Sequence, residues 1–117
     1  RNNKELNDIA LSIYNNQGVL SSVCHGAAGL LDIKENGDYL VRHKDVTGFT
    51  NSEEQANGTT EYMPYLLEDE FISNGAHFKK EDDWSNFAVV DGRIVTGQNP
   101  QSGHAVAEHA LKILANQ

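Results

Sequence analysis

The only cysteine of the chain, Cys24, lies in the segment that most restricts how the chain can fold. Residues 19–23 are apolar or small, which is typical of a buried parallel strand, and the glycine-containing residues 26–31 can begin a helix. Small residues flank Cys24 at positions 22 and 26. This spacing is the cysteine counterpart of the strand–turn–helix elbow that carries many catalytic nucleophiles, and it predicts an α/β fold.

A sharp elbow constrains both its neighbours and its thiol. Because the turn brings the backbone close to itself, we expect Ser22 and Gly26 to be small for steric reasons. The thiol of Cys24 would lie at the carboxyl end of a sheet, where open α/β sheets bind ligands. The N-terminus of the following helix would favour the thiolate, so we expect a pKa lowered from about 8.5 to roughly 3.5–7.5. A lone cysteine among apolar residues is otherwise most often a small buried side chain.

Composition excludes several classes of protein. The chain has 117 residues, which suits one domain, and its formal net charge of −8 with no basic cluster argues against nucleic-acid binding. No apolar run is long enough to cross a bilayer, and the start does not resemble a signal peptide. One cysteine cannot form an internal disulfide, so we expect a soluble protein in a reducing compartment such as the cytoplasm.

Hydrophobic periodicity predicts helices before the elbow and at the end of the chain. Residues 3–17 should form the first helix, with Gly18 as its C-cap. The last helix should run from Pro100, capped by Asn99, to about Leu114. The predicted apolar face of the first helix consists of Leu6, Ile9, Ala10, Ile13 and Tyr14.

The middle of the chain alternates predicted strands and helices. Residues 45–50 should form a strand, and residues 64–74 a helix. Residues 87–90 and 94–96 are β-branched or aromatic and flank Asp91-Gly92, which predicts a hairpin. Thr50 followed three residues later by Glu53 is a capping-box pattern at the start of a helix.

A nucleophilic cysteine requires a base and a group that orients the base. His25 is adjacent to Cys24, and at a sharp turn both side chains can reach one pocket. Glu54 is our candidate for the orienting carboxylate, because it lies just after a predicted strand that ends at Thr50 and the capping box uses Glu53 instead. Spacing alone favours the alternative, in which Glu54 is only a first-turn acid stabilised by the helix dipole.

Metal and cofactor motifs are absent from the sequence. His104 and Glu108 share a helix face, but there is no second cysteine and no HExxH or CxxC pattern. No phosphate-binding glycine motif occurs either. We therefore expect no metal and no cofactor.

Four blocks of sequence together resemble the ThiJ/PfpI family of the class I glutamine amidotransferase-like superfamily. The first is the elbow at residues 21–26 (Ser-Ser-Val-Cys-His-Gly), and the second is the strand and acidic turn at residues 46–54. The others are a helix start at residues 64–70 and a terminal hairpin with helix entry at residues 89–102. The similarity is greatest to the branch of heat-shock chaperones and glyoxalase III enzymes.

The resemblance implies a flavodoxin-like three-layer α/β sandwich with a mostly parallel sheet, an elbow after a central strand, and a homodimer. It implies that Cys24 is the nucleophile, His25 its partner and Glu54 the acid that orients the histidine. The implied activity is glutathione-independent conversion of methylglyoxal to lactate, or repair of glycated groups, with a small aldehyde as substrate. Alternatives are a holdase-type stress chaperone, a thiol redox sensor, and a cysteine peptidase or amidohydrolase of the same superfamily.

Members of the resembled family carry several strands, and a glutamate that contacts the cysteine, before the elbow. This chain begins at the helix just before the elbow. We therefore expect residues 1–117 to form a single domain that is the carboxyl-terminal portion of a longer ThiJ/PfpI-like domain. We expect it to be inactive without the upstream segment.

Overall fold

The computed structural model describes residues 1–117. The α-helices are α1 (Lys4–Asn15), α2 (Asn51–Ala56), α3 (Leu67–Ser73) and α4 (Gly103–Ala115). The strands are β1 (Leu20–Val23), β2 (Lys34–Glu35), β3 (Asp38–Tyr39), β4 (Asp45–Val46), β5 (His77–Phe78), β6 (Ala88–Asp91) and β7 (Ile94–Gly97). Short 3₁₀ helices span Cys24–Leu30, Thr60–Tyr62 and Pro100–Ser102.

The largest sheet has the strand order β1-β7-β6. β1 and β7 are parallel, with Leu20 opposite Ile94 and Val23 opposite Gly97. β6 and β7 form the predicted antiparallel hairpin, whose turn contains Gly92 at a φ of +59°. β4 and β5 form a second parallel pair, and β2 and β3 form a small hairpin. The predicted α/β class is confirmed, with a sheet that is mixed in this part of the fold.

β1 has a strand on one side only. Its single neighbour in the sheet is β7, so the strand that leads into the elbow is an edge strand among residues 1–117. The free edge of a strand carries unpaired backbone N–H and C=O groups, which are ready to pair with another strand.

The core lies between the 3₁₀ segment after β1, helix α3 and the parallel strands. Phe71, Leu31 and Ile94 are completely buried in it. The core cluster consists of Leu20, Ala27, Leu30, Leu31, Ile33, Leu40, Val41, Val46, Phe49, Leu67, Phe71, Ala76 and Ile94. Most of these residues lie between Leu20 and Phe49, so the residues around the elbow supply much of the packing that holds it.

Helix α1 forms where it is expected, but it does not bury the face that was predicted. Leu6, Ile9 and Ile13 are exposed by 52%, 58% and 47%, and no residue of α1 is fully buried. Ala10 and Tyr14 do pack against the core. Helix α4 behaves similarly, since Val106 is buried while Leu111 and Leu114 are exposed. These helices therefore carry more apolar surface than residues 1–117 cover.

Several predicted elements are shorter than expected. The strand at residues 45–50 is regular only over Asp45–Val46, and the helix at residues 64–74 begins at Leu67. The helix after the elbow is a 3₁₀ helix, and it contains two glycines, which are poor helix formers. Gly18 is not the C-cap of α1, because the helix ends with Asn16 as its cap and Gln17 takes the left-handed conformation. Gly18 is required for close packing, because a Cβ there would lie 2.4 Å from Ile13 Cγ2.

Helices in the structure are all too short or too polar to cross a membrane.

The free edge of β1 and the exposed apolar side chains of α1 generate a prediction about residues 1–117 expressed alone. We expect this segment to self-associate or to form a molten state, because both features favour contact between chains. Light scattering after size exclusion and a thermal melt measure this. A monodisperse monomer with a cooperative transition would show that the edge and the helix face are stable in water.

Candidate functional site

Cys24 occupies a strained turn directly after β1. Its φ is +60°, in the left-handed region that residues other than glycine rarely adopt. Such conformations cost of order 1–3 kcal/mol and persist only where the surroundings enforce them. One restraint is a hydrogen bond of 3.3 Å from the Phe49 N–H to the Cys24 carbonyl oxygen. The backbone therefore has the conformation of a nucleophile elbow, with the thiol at the carboxyl end of β1.

Close packing around the elbow depends on Gly48 and not on Gly26. A Cβ at Gly48 would lie 2.8 Å from Leu67 Cδ2 and 3.2 Å from Ala27 Cβ. Glycine therefore lets the segment after β4 lie against the elbow. A Cβ at Gly26 would have no atom within 4 Å, so the expectation that this position must be small for steric reasons is wrong among residues 1–117.

His25 lies between the thiol and a carboxylate. Its Nδ1 is 3.8 Å from Cys24 Sγ, and its Nε2 is 2.8 Å and 3.0 Å from the two carboxylate oxygens of Glu54. Because an ionised carboxylate only accepts hydrogen bonds, Nε2 carries the proton in the neutral ring. Nδ1 is then left with its lone pair facing the thiol, which is the arrangement that a general base requires.

Glu54 is buried, and a second donor fixes it. The residue is 1% exposed, and the Thr59 hydroxyl donates to Glu54 Oε1. A buried carboxylate must have its oxygens satisfied, and here His25 and Thr59 supply the donors. Glu54 thus holds the imidazole in one orientation, which fits the orienting role predicted for it.

The neighbouring carboxylate, Glu53, has a different set of partners. Its Oε1 accepts hydrogen bonds from the N–H and hydroxyl of Thr50, at 3.1 and 3.0 Å, which completes the predicted capping box of α2. Its Oε2 accepts from the backbone N–H of Trp84 and from the side-chain amide of Asn99, both at 2.8 Å. Burial by itself would raise the pKa of Glu53, but the hydrogen bonds from Trp84, Asn99 and Thr50 together lower it.

Asn99 does not cap the last helix. Its amide nitrogen donates to Glu53 and to the carbonyl of Ser85, and its oxygen accepts from the Ser102 hydroxyl. The Asn99 side-chain oxygen, which would accept from a backbone N–H in a helix cap, accepts from the Ser102 hydroxyl instead. The helix begins instead through a 3₁₀ turn at Pro100–Ser102.

Two aromatic side chains lie next to the site, although the sequence does not predict them there. The Phe49 ring lies 4.3 Å from the His25 imidazole, centroid to centroid, and Trp84 contacts Phe49 edge to face at 5.6 Å. Phe49 lies in the block at residues 46–54 that also contains Glu54, so the sequence offers a reason to expect it near the site. Nothing in the local sequence around Trp84 indicates that it reaches this region.

The prediction of a lowered Cys24 pKa is wrong, because the structure raises it. Burial is the main cause, since it disfavours the charged thiolate. A hydrogen bond from the backbone N–H of His25 acts in the opposite direction, while the negative charges of Glu53 and Glu54 raise the pKa further. In the resting state Cys24 is therefore a neutral thiol at neutral pH.

The histidines outside this cluster form no metal site. His104 pairs with Glu108 at 2.6 Å on the exposed face of α4. His77 lies 3.5 Å from Asp45, also near the surface. No three His, Cys, Asp or Glu side chains are grouped as metal ligands require.

Two curated proteins are similar to the chain in sequence. The chain is 38% identical over 117 residues to glyoxalase 3 of Candida albicans, covering 94% of the chain and 50% of that protein. It is also 38% identical over 121 residues to the glutathione-independent glyoxalase HSP31 of Saccharomyces cerevisiae, covering 97% of the chain and 51% of that protein. No family model matches the chain.

Solved structures agree with these relatives. The rapid encystment protein of 24 kDa from Francisella tularensis superposes with a TM-score of 0.94 at 38% identity, over 97% of this chain and 51% of that one. Glyoxalase III of Candida albicans gives 0.89 at 37% identity, over 96% and 50%. A ThiJ/PfpI domain protein from Brachyspira murdochii gives 0.69 at 17% identity, over 99% and 53%, which shows the shared fold. The chain therefore has the fold of a ThiJ/PfpI domain protein.

The chain is similar in sequence to proteins named glutathione-independent glyoxalases, and it spans about half the length of the curated relatives it matches.

The raised pKa of Cys24 predicts how the reactivity of its thiol changes with pH. The rate of alkylation by iodoacetamide should keep rising with pH beyond the ordinary thiol midpoint of about 8.5, because the folded protein disfavours the thiolate. The same protein unfolded in denaturant is the control and should show the ordinary midpoint. An alkylation midpoint of the folded protein well below that of the unfolded control would contradict this prediction, because it would mean that the fold favours the thiolate.

Proposed function

We propose that the chain carries the catalytic thiol of a cysteine-dependent, glutathione-independent glyoxalase that converts α-oxoaldehydes such as methylglyoxal to α-hydroxy acids. The observation that carries the proposal is the position of His25, whose two ring nitrogens face the Cys24 thiol and the buried Glu54 carboxylate. The names of the relatives from Candida albicans and Saccharomyces cerevisiae support the choice of reaction.

The first step is addition of sulfur to the aldehyde carbon. Because the thiol is neutral at rest, Nδ1 of His25 takes its proton as the S–C bond forms. The carbonyl π electrons move to oxygen, and the imidazolium returns the proton there, which gives a hemithioacetal. In this proposal the backbone N–H of His25 donates to the aldehyde oxygen and stabilises the negative charge that develops there.

The second stage moves one proton between two carbons. Neutral His25 removes the proton from the sulfur-bearing carbon, which gives an enediolate with its negative charge on the former ketone oxygen. The imidazolium then protonates the neighbouring carbon, and the hydroxyl proton on the sulfur-bearing carbon passes to the former ketone oxygen as the thioester C=O forms. The product is a thioester of the hydroxy acid. Water then cleaves the thioester and restores the thiol, so the reaction adds one water and needs no external oxidant or reductant.

Glu54 supports every proton transfer in this scheme. It keeps Nε2 as the protonated nitrogen and stabilises the imidazolium each time Nδ1 takes a proton. Its burial strengthens this effect, because the electrostatic interaction is less screened than in water. The carboxylate therefore acts through the histidine and does not touch the substrate.

The active protein in this proposal is longer than residues 1–117 and dimeric, and it acts in the cytoplasm. The relatives are about twice the length of this chain. We propose that residues 1–117 are the carboxyl-terminal portion of the complete domain, and that further residues complete the substrate site beside Cys24.

A holdase-type chaperone is a second candidate, and one observation favours it. Leu6, Ile9 and Ile13 form an apolar surface on α1, and exposed apolar patches can bind unfolded chains. A redox sensor has less support, because oxidation requires an accessible thiolate and Cys24 has a raised pKa.

Glu54→Gln in the full-length protein tests the main proposal. The substitution keeps the volume but removes the negative charge, so the kcat for lactate formation from methylglyoxal without glutathione should fall about a hundredfold or more. Cys24→Ser should abolish lactate formation. Glu68→Gln is the matched control, because Glu68 is also buried but pairs with Lys80. Equal activity of Glu54→Gln and Glu68→Gln would remove Glu54 from the mechanism.

The chaperone candidate predicts a separation of activities. Cys24→Ser should leave suppression of thermal aggregation of a client protein intact, since the thiol is not on the apolar surface of α1. Ile9→Lys should weaken that suppression while leaving lactate formation unchanged. Aggregation assays with both variants measure this. Loss of both activities in Cys24→Ser would point to one shared site.

A further inference from the structure

The His25 ring is restrained on two sides by different kinds of contact. Glu54 fixes it through hydrogen bonds at Nε2, and Phe49 packs against it at 4.3 Å with an angle of 44° between the rings. His25 itself is 40% exposed, so burial alone does not immobilise it. The position of Phe49 therefore limits how far the imidazole can turn.

Phe49 in turn rests against the only tryptophan of the chain. Trp84 meets Phe49 edge to face, with 5.6 Å between ring centroids and an angle of 61°. Such aromatic pairs are directional, because the positive edge of one ring favours the negative face of the other. Three rings, His25, Phe49 and Trp84, thus form a continuous row that begins at the catalytic nitrogen atoms.

Trp84 holds an unfavourable backbone conformation, and a buried carboxylate enforces it. Its φ is +66°, although it is a bulky residue with no glycine-like freedom. The Trp84 N–H donates to Glu53 Oε2 at 2.8 Å, and Asn99 donates to the same oxygen. Glu53 is completely buried and anchored to Thr50 at its other oxygen. The hydrogen bond to this fixed, buried oxygen therefore helps to hold the strained backbone of Trp84 in place.

From this row of contacts we propose that Trp84 is a positioning residue for His25, and that Glu53 acts as its anchor. The proposal rests on the proposed function, in which His25 moves the protons. Glu53 fixes the backbone of Trp84, Trp84 supports Phe49, and Phe49 keeps the imidazole facing the thiol. The two adjacent glutamates of α2 thereby fix the same ring by two routes, Glu54 directly and Glu53 through two aromatic side chains.

Trp84→Ala and Trp84→Phe in the full-length protein test the proposal. Trp84→Ala should lower kcat about tenfold to a hundredfold with little change in KM, because misplacing a catalytic group slows chemistry without removing a substrate contact. Trp84→Phe keeps an aromatic ring against Phe49 and should recover most of the rate. Tyr62→Ala is the control, since Tyr62 is 81% exposed and outside the row of rings.

Two other outcomes would overturn the proposal. A change in KM alone would make Trp84 a substrate contact, and an unchanged rate in Trp84→Ala would show that Phe49 needs no support. Thermal unfolding of each variant shows whether the fold is retained. If Trp84→Ala has lost its fold, the milder variants Trp84→Phe and Trp84→Leu replace it. The proposal then predicts a lower kcat with little change in KM for Trp84→Leu, and a rate near that of the wild type for Trp84→Phe.

Glu53→Gln tests the anchor, with Glu68→Gln as a second buried carboxylate for comparison. Glu53→Gln should shift the fluorescence of the single tryptophan and broaden the NMR signals of the His25 ring, whereas Glu68→Gln should change neither. These spectra do not depend on lactate formation. Absence of lactate in the wild-type protein would therefore overturn the proposed function, while unchanged spectra in Glu53→Gln would overturn this inference.

Discussion

A hydrogen bond between two residues 29 positions apart, His25 and Glu54, determines the arrangement of the site. The carboxylate is buried, and its oxygens accept hydrogen bonds from the histidine and from Thr59. Burying that charge without partners would be costly, so the start of α2 and the elbow must lie close together. The same bond fixes the imidazole tautomer and thereby directs a lone pair towards Cys24.

The position of α2 follows from its N-terminal capping. Thr50 and Glu53 form a capping box, which is worth about 1 kcal/mol to a helix and sets where its first turn begins. Because Glu54 is the next residue, fixing the first turn also fixes the direction of its side chain. Gly48 allows the preceding segment to pack against the elbow, which brings that first turn within reach of His25.

The sequence predicts which residues meet in this cluster, but it does not predict the pKa of Cys24. The elbow pattern predicts the turn at Cys24, the capping-box pattern separates Glu53 from Glu54, and the β-branched runs around Asp91-Gly92 predict the hairpin. Each of these signals is local, so neighbouring residues suffice to show it. The roles of Cys24, His25 and Glu54 in catalysis remain a proposal that this geometry supports.

The properties that the sequence did not predict depend on distant parts of the chain. Burial and the two glutamate charges set the pKa of Cys24, and they come from the fold around the elbow. The side-chain amide nitrogen of Asn99 donates to Glu53, a contact across 46 positions. The exposed face of α1 likewise reflects which surfaces residues 1–117 cover, and the periodicity of a helix does not contain that information.

The protonation of the His25 ring tests the central claim most directly. In ¹⁵N-labelled protein at a pH where the ring is neutral, we predict that Nε2 carries the proton and Nδ1 does not, because Glu54 accepts at Nε2. Glu54→Gln should weaken this preference. A ring protonated at Nδ1 in the wild-type protein would contradict the account, because the nitrogen that faces Cys24 would then have no lone pair to accept the thiol proton.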